Sequence, residues 1–145
     1  MLPSPFGFTT SAPELAWLLQ AFVERVTGVR GAVLLSGDGI HKTSHGLDQD
    51  NADRLAAVAG GLYSLVAGTA AQIGDVDDSG HPRVRQVIAE MGTTVLYVCT
   101  AGAGSRLAVL VDTGTDPAVI GHEMVRLGNS VRTHLDTPAR TSPSA

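Results

Sequence analysis

The sequence predicts an α/β domain of the α+β type, with elements in the order α-β-β-α-β-β-β-α. Two observations carry this. Gly31-Ala-Val-Leu-Leu-Ser-Gly-Asp-Gly-Ile40 is an apolar strand running into a Gly37-Asp38-Gly39 turn directly after an amphipathic helix, so the chain reverses into a hairpin there. Later, apolar stretches between residues 84 and 112 follow one another with only short turns between them. The first strand ends in a reversal, not in a Gly-rich loop opening a helix, which excludes the common dinucleotide and phosphate-binding layouts.

Each element has its own signal. Ser11 can cap the first helix with Glu14 as its capping-box partner, and Leu15, Leu18, Leu19, Phe22 and Val26 then form one stripe ending near Gly28. The second hairpin strand, Ile40 to Leu47, is the more polar and suits a sheet edge. Asp48 or Asp50 caps a long second helix reaching Ile73, with Leu55, Val58, Leu62, Leu65 and Val66 on its apolar face. A polar loop, Gly74 to Pro82, leads to strands Val84 to Glu90, Thr93 to Thr100 and Arg106 to Asp112. Asp116-Pro117 supplies a cap and a first-turn proline for a last helix to His134, with Ile120, Met124, Leu127 and Val131 at helical spacing. Residues 1–11 and 136–145 are rich in Pro, Ser and Thr and are expected to be tails of a domain at 12–135.

Composition narrows the function classes. A hydrophobic share of 43% against 17% charged residues is enough to build one core. A net charge of -4, with basic residues scattered, argues against a sequence-independent grip on nucleic acid. The lone Cys99 allows no intrachain disulfide and points to the cytoplasm. The N-terminal stretch carries no basic residue before Arg25 and is interrupted by Glu14, Gln20 and Glu24, which fits neither a signal peptide nor a membrane insertion.

Candidate chemical sites dissolve one by one. Asp75-Val-Asp-Asp-Ser-Gly80 opens like a calcium loop, but the closing acid is Gln86, Pro82 intrudes and a strand follows, so a solvated acidic turn is expected. His122-Glu123 opens a zinc-protease motif whose second histidine is Arg126. Ala101-Gly-Ala-Gly-Ser105 joins two strands with no Lys or helix behind it, which reads as a hairpin loop. Cys99 reads as a small buried hydrophobe, and His41, His45 and His81 as surface decoration. No catalytic residue, cofactor site or metal site is expected, and the chain reads as a non-enzyme.

The second helix points to assembly. Ala56, Gly60, Ser64 and Gly68 recur every four residues, and a mid-helix Gly costs about 0.8 to 1 kcal/mol against Ala. Such a ridge lets another backbone approach while larger residues on a different face cover the sheet, so a dimer is expected.

This arrangement resembles the Roadblock, or dynein light-chain-related, family. The helix Leu15 to Val26, the run Val29-Arg-Gly-Ala-Val-Leu-Leu-Ser-Gly-Asp-Gly-Ile40, and Ser105-Arg-Leu-Ala-Val-Leu-Val-Asp112 leading into Val119 to Leu127 carry the resemblance. It implies a profilin-like three-layer α/β/α domain. The five-stranded antiparallel sheet would have the second helix on one face and the terminal helices on the other. It also implies a homodimer or heterodimer joined through the third strand and second helix, with Ala56, Gly60, Ser64, Gly68, Val84, Gln86 and Ile88 at the interface. By the same resemblance the protein is a non-enzymatic regulator or scaffold in bacterial signalling. Its partner would be a small Ras-like GTPase, sometimes alongside a histidine-kinase-like sensor. The alternative of a different class is a small-molecule-sensing module of profilin-like fold.

Overall fold

The computed structural model describes residues 7–102 and 104–136, and the element order is the expected one. Helix α1 spans Gly7–Arg25, strands β1 and β2 span Val29–Ser36 and His41–His45, and helix α2 spans Gln49–Ile73. Strands β3, β4 and β5 span Gln86–Glu90, Thr94–Thr100 and Ser105–Asp112, and helix α3 spans Pro117–Asp136. All neighbouring strands pair antiparallel in one sheet of order β2-β1-β5-β4-β3, so β2 and β3 are its edges. This is the profilin-like sheet.

Alternation along the strands divides two cores. One face (Ala32, Leu34, Leu107, Val109, Val111, Tyr97) meets Leu15, Leu19, Phe22 and Val26 of α1 and Ile120, Met124, Leu127 and Val131 of α3. The opposite face (Val33, Leu35, Leu96, Val98, Ala108) meets α2. The stripes expected of the terminal helices are therefore the ones they bury, with Leu18 only partly covered.

Two expectations give way. Helix α1 is described from Gly7 on, so Ser11 lies within it and not at an N-cap position; the Ser11–Glu14 spacing that suits a capping box is here part of a continuous helix. Residues 7–11 of the expected N-terminal tail thus fall within α1 and Asp136 of the C-terminal one within α3, while residues 1–6 and 137–145 lie outside the described residues. On α2 the faces are exchanged. Ala52, Ala56, Ala59 and Tyr63 are buried against the sheet, Gly60 against the β1–β2 turn, and Ala70 is buried further along the helix. Val58, Leu65 and Val66, expected to cover it, are exposed, and Leu55 and Leu62 are half-covered at the margin. Small side chains at i, i+3 and i+4 bring a helix axis close to a sheet, and that closeness outweighs the larger apolar area of the alternative face.

The ends of α2 are firmly set. Asp48 accepts from the Asn51 amide at 2.8 Å. At the other end Gly74, in the left-handed region at φ 82°, donates to the Ala71 carbonyl, and the Asp75 amide to that of Ala70. By length and composition α2 could cross a membrane; in this fold it lies on the sheet. Asp116 accepts from the Ala118 amide at 2.9 Å and begins α3.

A candidate interaction surface on α2 and β3

Helix α2 crosses the sheet obliquely. Gly60 sits against Gly39 in the β1–β2 turn, and one turn later the Tyr63 hydroxyl lies 3.4 Å from both the Val84 carbonyl and the Thr100 hydroxyl, at the β3 end of the sheet. Arg106 of β5 stacks on the same ring, 4.0 Å from its centroid. The ten residues after Tyr63 add about 15 Å of helix. They carry the helix past the strand ends where β4 finishes and β3 begins, and the chain returns through residues 74–85.

Along α2 and into this overhang runs an exposed apolar stripe: Val58 at 54%, Leu65 at 72%, Val66 at 39% and Ile73 at 73% accessibility. These share one side of the helix with the half-covered Leu55 and Leu62. Beside it lies β3, paired on one side only, with a continuous register from Gln86↔Cys99 to Glu90↔Val95. Val87 and Ala89 turn inward under α2, while Ile88 is 52% exposed on the other face. Edge β2 differs. The register steps from Leu34↔Thr43 to Leu35↔His41, leaving Lys42 as a bulged residue. A bulge and a charge both discourage strand addition, so β3 is the more receptive edge.

The residues expected at an interface divide accordingly. Ala56 and Gly60 are buried within this chain's own fold, Gly60 by its contact with Gly39, so neither is available to a partner. Ser64 and Gly68 are exposed, and a Cβ on Gly68 would meet nothing within 4 Å. Val84 is half-buried just before β3, Gln86 and Ile88 are exposed on it. The apolar stripe is hidden in the sequence because size alone assigns its large residues to the core. The usable signal was the Ala52, Ala56, Ala59, Tyr63, Ala67, Ala70 series, which has the period of a closely packed helix face.

The other candidate sites have structural partners. Asp77 accepts from the Ser79 and His81 amides at 2.9 and 3.0 Å, and those bonds, the His81 one foremost, hold its carboxyl below the ordinary carboxylate range. Asp75 binds Arg83, and a bridge between Val76 and Pro82 closes the turn. Glu123 receives Arg25 at 2.7 Å and Arg126 at 3.6 Å, ties α1 to α3, and is held low chiefly by the Arg25 hydrogen bond. Burial pushes the Cys99 thiol up to about 11, the reverse of a nucleophile's setting. His45 faces Glu24 and His134 faces Glu14 on the helical layer. Among the described residues no three His, Cys, Asp or Glu side chains converge as a metal site would require.

Comparison with known proteins agrees with this geometry. The Roadblock/LC7 domain matches residues 15–111. A Roadblock/LC7 domain from Streptomyces avermitilis is 48% identical, with a TM-score of 0.76 over 83% of this chain and 96% of that one. MglB of Myxococcus xanthus shares the fold at 16% identity, with a TM-score of 0.74 over 86% of this chain and 96% of its own. Profilin IA of Acanthamoeba castellanii is 12% identical, with a TM-score of 0.50 over 81% of this chain and 95% of that one. No curated protein sequence matches. The helix and strand pattern, the sheet order and the matched segment together place the chain in the Roadblock/LC7 family.

Proposed function

We propose that this protein is a non-catalytic, cytoplasmic dimer that serves as a regulator or scaffold for a small Ras-like GTPase. The observation that carries the dimer is the adjacency of a free, regular edge strand, β3, and an exposed apolar stripe on the helix overhanging it. Pairing β3 with β3 of a second copy extends the sheet and covers Leu62, Leu65 and Val66 in the same step. Val84, Gln86 and Ile88 lie on the strand side of that contact; Ser64 and Gly68 lie on the exposed remainder of α2. MglB, which shares the fold, has a structure with a tetrameric arrangement. Membership in the Roadblock/LC7 family supports the regulator reading, and side chains committed to structural partners rather than aimed into a reaction site support the non-catalytic one.

Sedimentation equilibrium tests the assembly, and a concentration-independent monomer of 14.9 kDa at micromolar concentration would sink it. Calorimetry with each nucleotide state of a Ras-like GTPase from the same organism tests the partner. A regulator must contact the switch segments, so it binds one state more tightly. Equal affinity would reduce the protein to a passive scaffold, and no affinity, with a small metabolite bound instead, would favour a sensor.

A further inference from the structure

Helix α1 buries Leu15, Leu19, Phe22 and Val26 against the sheet, and the opposite side of the same helix carries Trp17. Trp17 is the chain's one tryptophan and stands 64% exposed, although this residue type is on average well covered. Neither core includes it.

Its surroundings are acidic. Glu14 lies one turn before Trp17 and Glu24 two turns after it, so the three share one outer strip of α1, with the small Ala21 between. Side chains in a helix lean toward its N-terminus, which sets the indole over the Glu14 turn. Both carboxylates are exposed, and among the described residues neither has a Lys or Arg partner. Glu14 faces His134 at 3.7 Å, while Glu24 faces His45 at 3.6 Å and accepts from Gln20 at 3.3 Å. An imidazole carries charge only when protonated. Arg25, the guanidinium next along the helix, is bound to Glu123. The strip thus offers an open aromatic face between two carboxylates that lack a permanent counter-charge.

We propose that this strip binds an arginine-bearing segment of a partner protein, one guanidinium stacked on the Trp17 ring and paired with Glu14, and a second basic side chain taken by Glu24. A planar guanidinium stacks on an indole through its face and hydrogen-bonds a carboxylate through its edge at the same time; an ammonium is a point charge and has no such plane. The helix sets Glu14 about 15 Å from Glu24, the reach of about four or five residues of extended chain. Helix α1 lies across the sheet from α2, so the strip is open in monomer and dimer alike.

Trp17 reports its own occupancy, because no other indole contributes to the emission. Titrating the full chain at low ionic strength with a short peptide of alternating Arg and Gly is expected to change that emission to saturation. The same peptide with Lys in place of Arg is expected to bind at least about fivefold more weakly. Glu14→Gln combined with Glu24→Gln is expected to weaken the Arg peptide about tenfold, and Trp17→Ala, read by anisotropy of a labelled peptide, by a similar factor of about ten. Asp38→Asn combined with Asp78→Asn removes the same charge from exposed positions elsewhere and is expected to change the affinity less than about twofold. All these side chains are exposed, so the variants keep the fold, which melts check. For a variant that melts early, the Arg and Lys peptides compared on the unaltered chain decide alone. An emission that does not respond, equal binding of the two peptides, or equal losses from the Glu and Asp pairs overturns the proposal. The last two results would be the general attraction of a chain of net charge -4 for any polycation.

Discussion

Gly60 of α2 and Gly39 of the β1–β2 turn meet so closely that a Cβ on Gly60 would lie 2.7 Å from the Gly39 Cα. Gly39 is itself in the left-handed region at φ 82°, where its turn needs it. The contact seats the helix on the hairpin, and a side chain on Gly60 would lift it, whereas one on Gly39 would be strained by the positive φ rather than by the helix. Gly60→Ala is therefore expected to destabilise the monomer by about 1 to 3 kcal/mol despite the gain in helix propensity. Gly61→Ala has open space within 4 Å and is expected to stabilise by about 0.5 to 1 kcal/mol. Urea unfolding of the two variants checks the contrast, and equal effects would refute the packing argument.

That pair also marks where the sequence was legible. The hairpin could be read because Gly37-Asp38-Gly39 has few conformational options, and α2 because Asp48 and Gly74 cap it from its own residues. The buried stripes of α1 and α3 could be read because each helix packs on one side only. Helix α2 carries apolar residues on two sides, and periodicity cannot say which one faces the sheet. The answer lay in a long-range contact between Gly39 and Gly60, which local sequence does not encode. The start of α1 was missed for a related reason: a good capping pair at Ser11 and Glu14 does not stop a helix that continues before it. The candidate surface was half legible, its strand by alternation and its helix only in part.

Leu65 provides the separate test of the apolar stripe. At 72% accessibility it contributes little to the isolated fold, so Leu65→Glu is expected to change the monomer's unfolding free energy by less than about 0.5 kcal/mol. In a dimer the same carboxylate would be desolvated without a partner, and the dissociation constant is expected to rise about 100-fold. Light scattering across a dilution series reads the second effect and thermal melts the first. An unaltered dimer would mean that α2 meets solvent there.

The acidic turn is expected to ignore calcium. Asp77 spends its carboxylate on the Ser79 and His81 amides and Asp75 on Arg83, so binding a cation would break bonds that already hold the turn. Excess calcium followed by chelation is expected to move the melting temperature by less than about 1 °C. A reversible rise of several degrees would show a cation site in residues 75–80.

Cys99 pairs with Gln86 across the β3–β4 ladder, and its thiol, raised to about 11 by burial, is almost wholly protonated at neutral pH. Native protein is therefore expected to react with a disulfide reagent at pH 7 at least about tenfold more slowly than the unfolded chain. Stopped reactions with and without denaturant compare the two rates. Equal rates would place the thiolate in solvent and contradict the packing of β4.

Glu123 sets the acid limit of the helical layer. Its carboxyl titrates below the ordinary value of 4.5, first because Arg25 hydrogen-bonds it and then through the charges of Arg25 and Arg126. A carboxyl whose pKa is lower in the folded chain adds stability that is fully present above the unfolded value and is lost as pH falls through the folded one. The contribution thus stands at neutral pH and disappears only below about pH 4.5. Glu123→Gln is expected to lower the melting temperature at pH 7 and to converge with the unaltered protein at the acid end. Arg25→Ala is expected to follow the same course, because it removes the other half of the α1–α3 tie. Melts across this pH range decide it: a constant gap between Glu123→Gln and the unaltered chain at every pH would mean that the ion pair is not what couples the two helices.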